Sequence, residues 1–423
     1  MLPSPPTQAA VPSAFPTRSN HRRAVVHAAM LVIHRYVGLT IATFLLVAGL
    51  TGSVLAFYHE LDGLANPWHH VEPPSPGSRP LDPFVLRERI ADRFPQAGNA
   101  VFFKAEAGQA LSVWAEVSPG AWREVFVDPY TGAVIGQRTW GDLGEGMVNL
   151  FPFIYRLHYQ LALGTVGTVL FGIVALLWTL DCFVGLYLTF PPRRTRGTGD
   201  GRSWLARWKP SWLMKGGSLF GGIFTFHRAS GLWIWPLLFV FAWSGVGFNL
   251  GAVFQPVMKI FGTHDLHDAL PQLAEPRATP AIAWREAHVR AKAAMAVLAE
   301  ERGFTIHGED SLWYEPGHGT YAYRVHSSLD LAERWGGTSV HLDGDTGAGI
   351  AFDAPTGQAL GSTLSSWFFA LHMGTVGGLP YRILVSICGL IVAILSITGT
   401  WIWWHRRKLR VRAKSSRRLP AGG

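Results

Sequence analysis

His34, Arg35, Gly38 and Leu39 open an apolar run that reaches Thr51 and Gly52. The layout recurs without a gap 193 residues later, where His227, Arg228, Gly231 and Leu232 open a run that reaches Ser244 and Gly245. Spanning a bilayer core takes about 20 apolar residues, and backbone polar groups in lipid must be paired within the segment. Each run is therefore predicted to be a membrane helix. An ionisable side chain at the mouth of such a helix is costly and marks a functional site. Two copies in register point to one piece of chemistry used twice.

The rest of the composition agrees with a chain largely in lipid. Of the 423 residues 48% are apolar and only 15% charged, well under a soluble average. Four segments reach spanning length: about 31–57, 167–190, 219–249 and 383–404. Many of the 18 tryptophans stand near the ends of these runs, where amphipathic rings favour the headgroup level. The first span is too long for a signal-peptide core and is read as an uncleaved anchor. Cys182 and Cys388 both fall inside spans, so no disulfide framework and no covalent haem motif is expected.

The net charge of +9 is unevenly spread. Residues 191–218 hold seven Lys/Arg against one Asp, and the tail after Trp404 holds eight and no acid. Residues 59–153 carry 12 acids against 7 bases, and 251–370 carry 14 against 8. The positive-inside rule then puts both termini and the 191–218 loop in the cytoplasm. Basic stretches beside spans are topology signals, and no nucleic-acid binding is expected.

The expected layout is a cytoplasmic tail (1–23), a first span (24–58) and an outer α+β domain (59–153). A segment carrying His158 with the second span (154–190) and a basic cytoplasmic linker (191–218) follow. The second half has a third span (219–250), a second outer α+β domain (251–365), a segment carrying His372 with the fourth span (366–405), and a basic tail (406–423). Phe84, Leu86, Ile90 and Phe94 put an apolar stripe on a helix over 81–94. Strands are expected over 100–106, 110–117 and 122–128, and in the second half a helix over 281–301 with strands over 311–316 and 320–327. The run from Asp128 to Gly132 is a turn signal, repeated at Asp343–Gly347 and Asp353–Gly357.

The returning spans repeat as well. Leu157 and His158 precede the tetrapeptide from Gly164 to Gly167, and Leu371 and His372 precede that from Gly374 to Gly377. His158 and His372 are 214 residues apart, as are Gly185 and Gly399. Both halves have the same orientation, so a pseudo-twofold along the membrane normal is expected.

His34, Arg35, Tyr36, Gly38 and Leu39, the Asp128–Gly132 turn, the stretch from Leu371 to Gly378 and the Thr398–Trp404 end of the last span together resemble the PepSY-associated transmembrane helix family over nearly the whole chain. The resemblance implies an α-helical protein of the bacterial inner membrane, with four transmembrane helices in two tandem repeats. Each repeat would carry a small α+β PepSY-like periplasmic domain. It also implies a link to iron uptake, in which some members are haem-containing reductases of ferric siderophores. Fused flavin or nicotinamide modules occur in relatives, but no stretch here matches one. The chain ends 18 residues after His405, so an electron donor is expected to be a separate protein or molecule.

Within that frame the histidines carry the chemistry. A b-type haem needs two axial ligands from facing helices and small residues where the macrocycle approaches. His34 and His227, with Gly38 and Gly231 four residues on, meet both needs near the cytoplasmic face. The bland reading is an interfacial polar anchor with a snorkelling arginine. His158 and His372 form a second expected pair of iron ligands towards the periplasm. They sit 13 residues beyond the reach of a 20-residue span counted back from Pro191 and His405. Either those helices are long and steeply tilted, or the glycines break them and fold the histidine segments onto the membrane. Two haems, one per leaflet, would carry electrons across. His27 is an alternative cytoplasmic ligand, and His59 and His405 read as interfacial.

Weaker candidates are His264 with His267, whose spacing suits a metal if helical, and Asp181, placed to tune a haem or bond a helix partner. His69 and His70 read as membrane-proximal surface, and Trp401, Trp403 and Trp404 as an interface belt. A non-redox protein that binds a peptide or protease through its outer domains competes with the reductase reading. A carrier is disfavoured because the spans show no broken, polar-lined helices.

Overall fold

The computed structural model describes residues 18–104, 108–118, 120–192 and 202–416. Most of the N-terminal tail, residues 193–201 of the basic linker, the end of the strand expected over 100–106 and the last seven residues lie outside the described residues.

In chain order, α1 (Arg18–Leu55) leads to the short α2 (Tyr58–Ala65) and to α3 (Pro83–Arg93). Strands β1 (Ala100–Phe102), β2 (Leu111–Ser118), β3 (Ala121–Val127) and β4 (Val134–Arg138) follow, then α4 (Leu150–Gln160) and α5 (Gly164–Thr189). After α6 (Trp204–Trp208), α7 (Leu219–Trp233) and α8 (Trp235–Asn249) are nearly continuous. Next come α9 (Gly251–Lys259), α10 (Leu266–Ala269) and α11 (Trp284–Arg302), strands β5 (Ile306–Glu315), β6 (Thr320–Ser327), β7 (Thr338–Asp343) and β8 (Gly349–Asp353), then α12 (Leu360–Met373) and α13 (Gly378–Ser416).

Helices α1, α5 and α13 are each long and apolar enough to cross a membrane, and α7 with α8 makes a fourth if the bent pair is one span. The third expected span is thus not a straight helix. Its halves meet at 69°, because Pro236 has no N–H for the helix ladder just past Ile234. The expectation of unbroken spans is corrected here. The ends also differ, since α1 begins inside the expected tail and α13 runs 12 residues past Trp404.

Small residues let α1 and α13 touch. A Cβ added at Gly49 would lie 2.5 Å from the Gly389 carbonyl oxygen, and only residues this small permit such an approach. Ser53 Oγ donates to the Ser386 carbonyl at 2.8 Å, and Ser386 Oγ returns a bond to the Ser53 carbonyl at 3.0 Å. Helix α1 also packs on α4 and α5, α5 on α8, α8 on α12, and α7 on α13.

The histidine segments take the broken arrangement. Helix α4 ends as Leu161 and Ala162 turn left-handed (φ 53° and 56°), and α12 ends on left-handed Gly374 (φ 67°). The next helices restart at Gly164 and Gly378, again 214 residues apart and both left-handed (φ 60° and 57°). The repeated Gly-Thr-Val-Gly tetrapeptides are therefore not equivalent. The first is the opening turn of α5, whereas the second is the connector before α13.

Two antiparallel sheets stand beyond the helices, with orders β2-β3-β4 and β1-β5-β6-β7-β8. They are not one sheet per half, as expected. Strand β1 belongs to the first half but pairs with β5, matching Ala100 to Trp313. Helix α3 divides its stripe likewise, with Phe84 in the core under the five-stranded sheet and Leu86 and Ile90 in the core under the three-stranded one. The Asp128–Gly132 turn forms as the residues demand: Asp128 accepts from the Tyr130 amide at 2.8 Å, and Gly132 takes φ 73°.

Candidate functional site: two facing histidine pairs

The four repeated histidines meet in two pairs. His34 of α1 faces His227 of α7 with ring centroids 6.3 Å apart and planes at 63°. His158 of α4 faces His372 of α12 at 6.2 Å and 74°. Each histidine therefore meets its counterpart from the other half. Thr51, which touches His158, lies 17 residues after His34 on α1, so the pairs are about 25 Å apart along that helix. Only the His158–His372 pair lies near the sheets.

Every ring is held by its Nδ1. The Thr51 hydroxyl lies 3.0 Å from His158 Nδ1 and gives its own proton to the Val47 carbonyl at 2.7 Å. Thr398 does the same for His227, at 3.0 Å from Nδ1 and 2.8 Å from the Ile394 carbonyl. Ser244 serves His372, at 2.6 Å from Nδ1 and 2.6 Å from the Val240 carbonyl. A hydroxyl that donates to a backbone carbonyl can accept from the ring, so this arrangement suits a hydrogen on Nδ1 of each of these three histidines. His34 Nδ1 donates to the Asp181 carboxylate, with both oxygens at 3.0 Å. None of the four Nε2 atoms has a hydrogen-bond partner among the described residues. A metal-ligating histidine gives its Nδ1–H to such a partner and its Nε2 to the metal.

Glycines clear the space beside the rings. A Cβ at Gly52 would lie 3.0 Å from the His158 ring, one at Gly399 3.1 Å from His227, and one at Gly185 3.5 Å from His34. Gly38 and Gly231 touch no ring. A Cβ at Gly38 would meet nothing within 4 Å, and one at Gly231 only Leu395 at 3.9 Å. A cavity of about 730 Å³ extends from His158 and His372 along Gly52, Trp178, Phe241 and Phe248 to Arg334 and Trp335 at the sheets. Its volume is within the range of cofactor and drug sites.

Two of the substitute ligands, His27 and His405, lie away from both pairs. His27 faces Tyr187 at 6.5 Å, and His405 stacks between Phe220 and Trp401 at 5.2 and 5.1 Å. His59 stands at the cavity mouth beside Trp335 (6.4 Å), and burial, then the charge of Arg334, push its pKa below the usual imidazole value. His69 is not plain surface, because its Nε2 lies 3.0 Å from the buried Asp62 carboxylate. The side chain of His267 lies outside the described residues. No group of three or more His, Cys, Asp and Glu converges among the described residues, but a porphyrin iron asks the protein for only two ligands.

Thr51, Ser244 and Thr398 are the site residues that sequence reasoning missed. Thr51 and Ser244 had a signal, being hydroxyl residues 193 apart in the two runs. Thr398 had none, since its counterpart in contact with His34 is Asp181 and the two are not 214 apart.

Curated proteins give no match to the chain. The model of the PepSY-associated TM region covers residues 31–406. With its apolar helices and paired sheets, the chain is a multi-pass membrane protein that belongs to the PepSY-associated TM family.

Proposed function

We propose that the protein is a di-haem b oxidoreductase of the bacterial inner membrane that reduces a ferric chelate, of the siderophore class, on the periplasmic side. The observation that carries this reading is the set of four imidazoles facing in pairs, each with Nδ1 engaged and Nε2 bare. A b-type haem asks the protein for two ligands from facing helices, and each pair offers two imidazoles from different helices with ring centroids 6.3 and 6.2 Å apart. His34 and His227 would hold one haem and His158 and His372 the other, each supplying one-electron chemistry through ferric and ferrous iron. Thr51, Ser244, Thr398 and Asp181 fix the ring orientations, and the glycines keep the faces open. One electron per iron, from a separate donor, converts the ferric acceptor to ferrous iron, which hard oxygen chelators hold less tightly. The basic linker and tail support cytoplasmic termini and sheets on the outer side.

The test is the visible spectrum of the purified protein with and without dithionite, with haem counted against protein. Two redox-active protohaems per chain are expected. Colourless protein from haem-replete cells would remove the reading and favour a binding or regulatory role for the outer sheets.

Asp181 makes the pairs unequal, because it is the one anionic partner among three hydroxyls. A carboxylate on Nδ1–H raises imidazole basicity and favours the ferric state. Asp181→Asn keeps an acceptor and loses the charge. It is expected to raise the potential at the His34–His227 pair by on the order of 60 mV, a tenfold change for one electron. Potentiometric titration should show one component shifted and the other fixed. A shift in neither component or in both contradicts the assignment.

A further inference from the structure

A second cavity of about 370 Å³ lies between the two sheets, lined by Lys104, Gln109, Ser112, Asp310, Arg334 and Trp335. His59, Arg334 and Trp335 also line the large cavity that holds His158 and His372. These three residues are the wall between the sheet cleft and the histidine chamber. The charged groups there are mostly committed. Glu60 Oε1 accepts from Arg382 at 2.5 Å, and Glu333 Oε1 accepts from the Gly378 amide at 3.0 Å. Asp310 accepts from the Gly336 amide at 3.2 Å and the Ser311 hydroxyl at 2.9 Å. Lys104 Nζ donates to the Arg334 carbonyl at 3.2 Å, bringing a second cation to the same wall. The Arg334 guanidinium makes no hydrogen bond or ion pair among the described residues. Its charge is felt by Glu60 and His59, and a planar fork of donors without a bonded partner, in a cleft that Lys104 also lines, suits carboxylate-like oxygens.

We infer that Arg334, supported by Lys104, binds an anionic oxygen ligand at this junction: the acidic face of an oxygen-donor ferric chelate docked in the sheet cleft, or a haem propionate reaching out of the histidine chamber. The inference rests on the proposed reductase activity for the ligand classes and not for the site itself. Arg334 sits on the exposed connection between β6 and β7, so replacing it leaves the sheets intact.

The test uses the full-length protein in detergent. In one arm, calorimetry with gallium(III) citrate, a redox-inert anionic stand-in for a ferric chelate, compares wild type with R334Q and R334K. Loss of a charge-assisted contact is expected to weaken binding roughly tenfold to a hundredfold in R334Q, with partial recovery in R334K. In the other arm, haem-depleted protein is titrated with protohaem and with its dimethyl ester. If a propionate is the partner, R334Q loses affinity for the free acid and not for the ester. Either loss supports the inference and names the source of the anion. R334Q matching wild type in both arms overturns it. Colourless protein that still binds gallium citrate through Arg334 would keep this site and remove the reductase reading.

Discussion

Alanine in place of His158 or His372 is expected to halve the haem content, from about two per chain to about one, and to abolish reduction of an outside acceptor. The surviving histidine of the pair would leave the iron with one axial protein ligand. Disturbing only the partner of a metal-ligating histidine costs about 10–100-fold in affinity or activity, so loss of the ligand itself should exceed roughly 100-fold. Thr51→Val supplies the graded control. It leaves His158 in place but strips Nδ1 of its 3.0 Å acceptor, and it should fall in the 10–100-fold range. His34→Ala and His227→Ala should remove the other haem and leave the sheet-side one intact. If all four single variants keep two haems, the pairs are not ligands.

The second large effect lies where the first span meets the sheets. Arg138 is 1% exposed and Asp62 2%, and the guanidinium gives Asp62 two bonds of 2.9 and 2.7 Å and Glu124 one of 2.7 Å. Asp62 is in α2, just past α1, while Glu124 and Arg138 are in β3 and β4. The cluster therefore fastens the three-stranded sheet to the membrane helix. Removing one partner of a buried pair strands the others and costs about 3–5 kcal/mol. Arg138→Met should lower the melting temperature followed by tryptophan fluorescence by roughly 5–15 °C. Adding Asp62→Asn and Glu124→Gln to Arg138→Met should recover most of that loss, because no buried charge then lacks a partner. Equal destabilisation by the triple variant would show that packing, not charge, is at stake.

The same cluster sets a pH limit. Burial alone would raise the Asp62 pKa, but hydrogen bonds from His69 and Arg138 outweigh it and hold the carboxyl below the usual range. A depressed carboxylate contributes fully above its unfolded pKa and loses its contribution as pH falls through the folded one. Arg138-dependent stability should therefore be flat from neutral pH down to about 4 and decline below it.

The membrane helices and the histidine pairs were legible because lipid and duplication both act on sequence directly. Uninterrupted apolar runs and the 193- and 214-residue spacings mark His34 and His227, and His158 and His372, as equivalent positions of the two halves. The bend at Ile234 was less legible. Pro236 is the visible cause, yet apolar length alone counts the two halves as one span. The exchange of β1 into the other half's sheet leaves no local trace, since Ala100–Phe102 reads as a short strand whichever partner it takes. Asp181 stood out as a charge in lipid, whereas its hold on His34 depends on the rotation of α5 against α1, which repeat spacing does not encode.

Ferric low-spin electron paramagnetic resonance on the oxidised protein puts the pairing of these imidazoles to the most direct test. Two iron centres, each bound by two imidazoles with planes far from parallel, as the 63° and 74° angles require, should give two strongly anisotropic low-spin signals. Each should vanish with its own histidine pair. A high-spin signal, a single centre, or signals that survive replacement of His34, His227, His158 and His372 would contradict the di-haem reading.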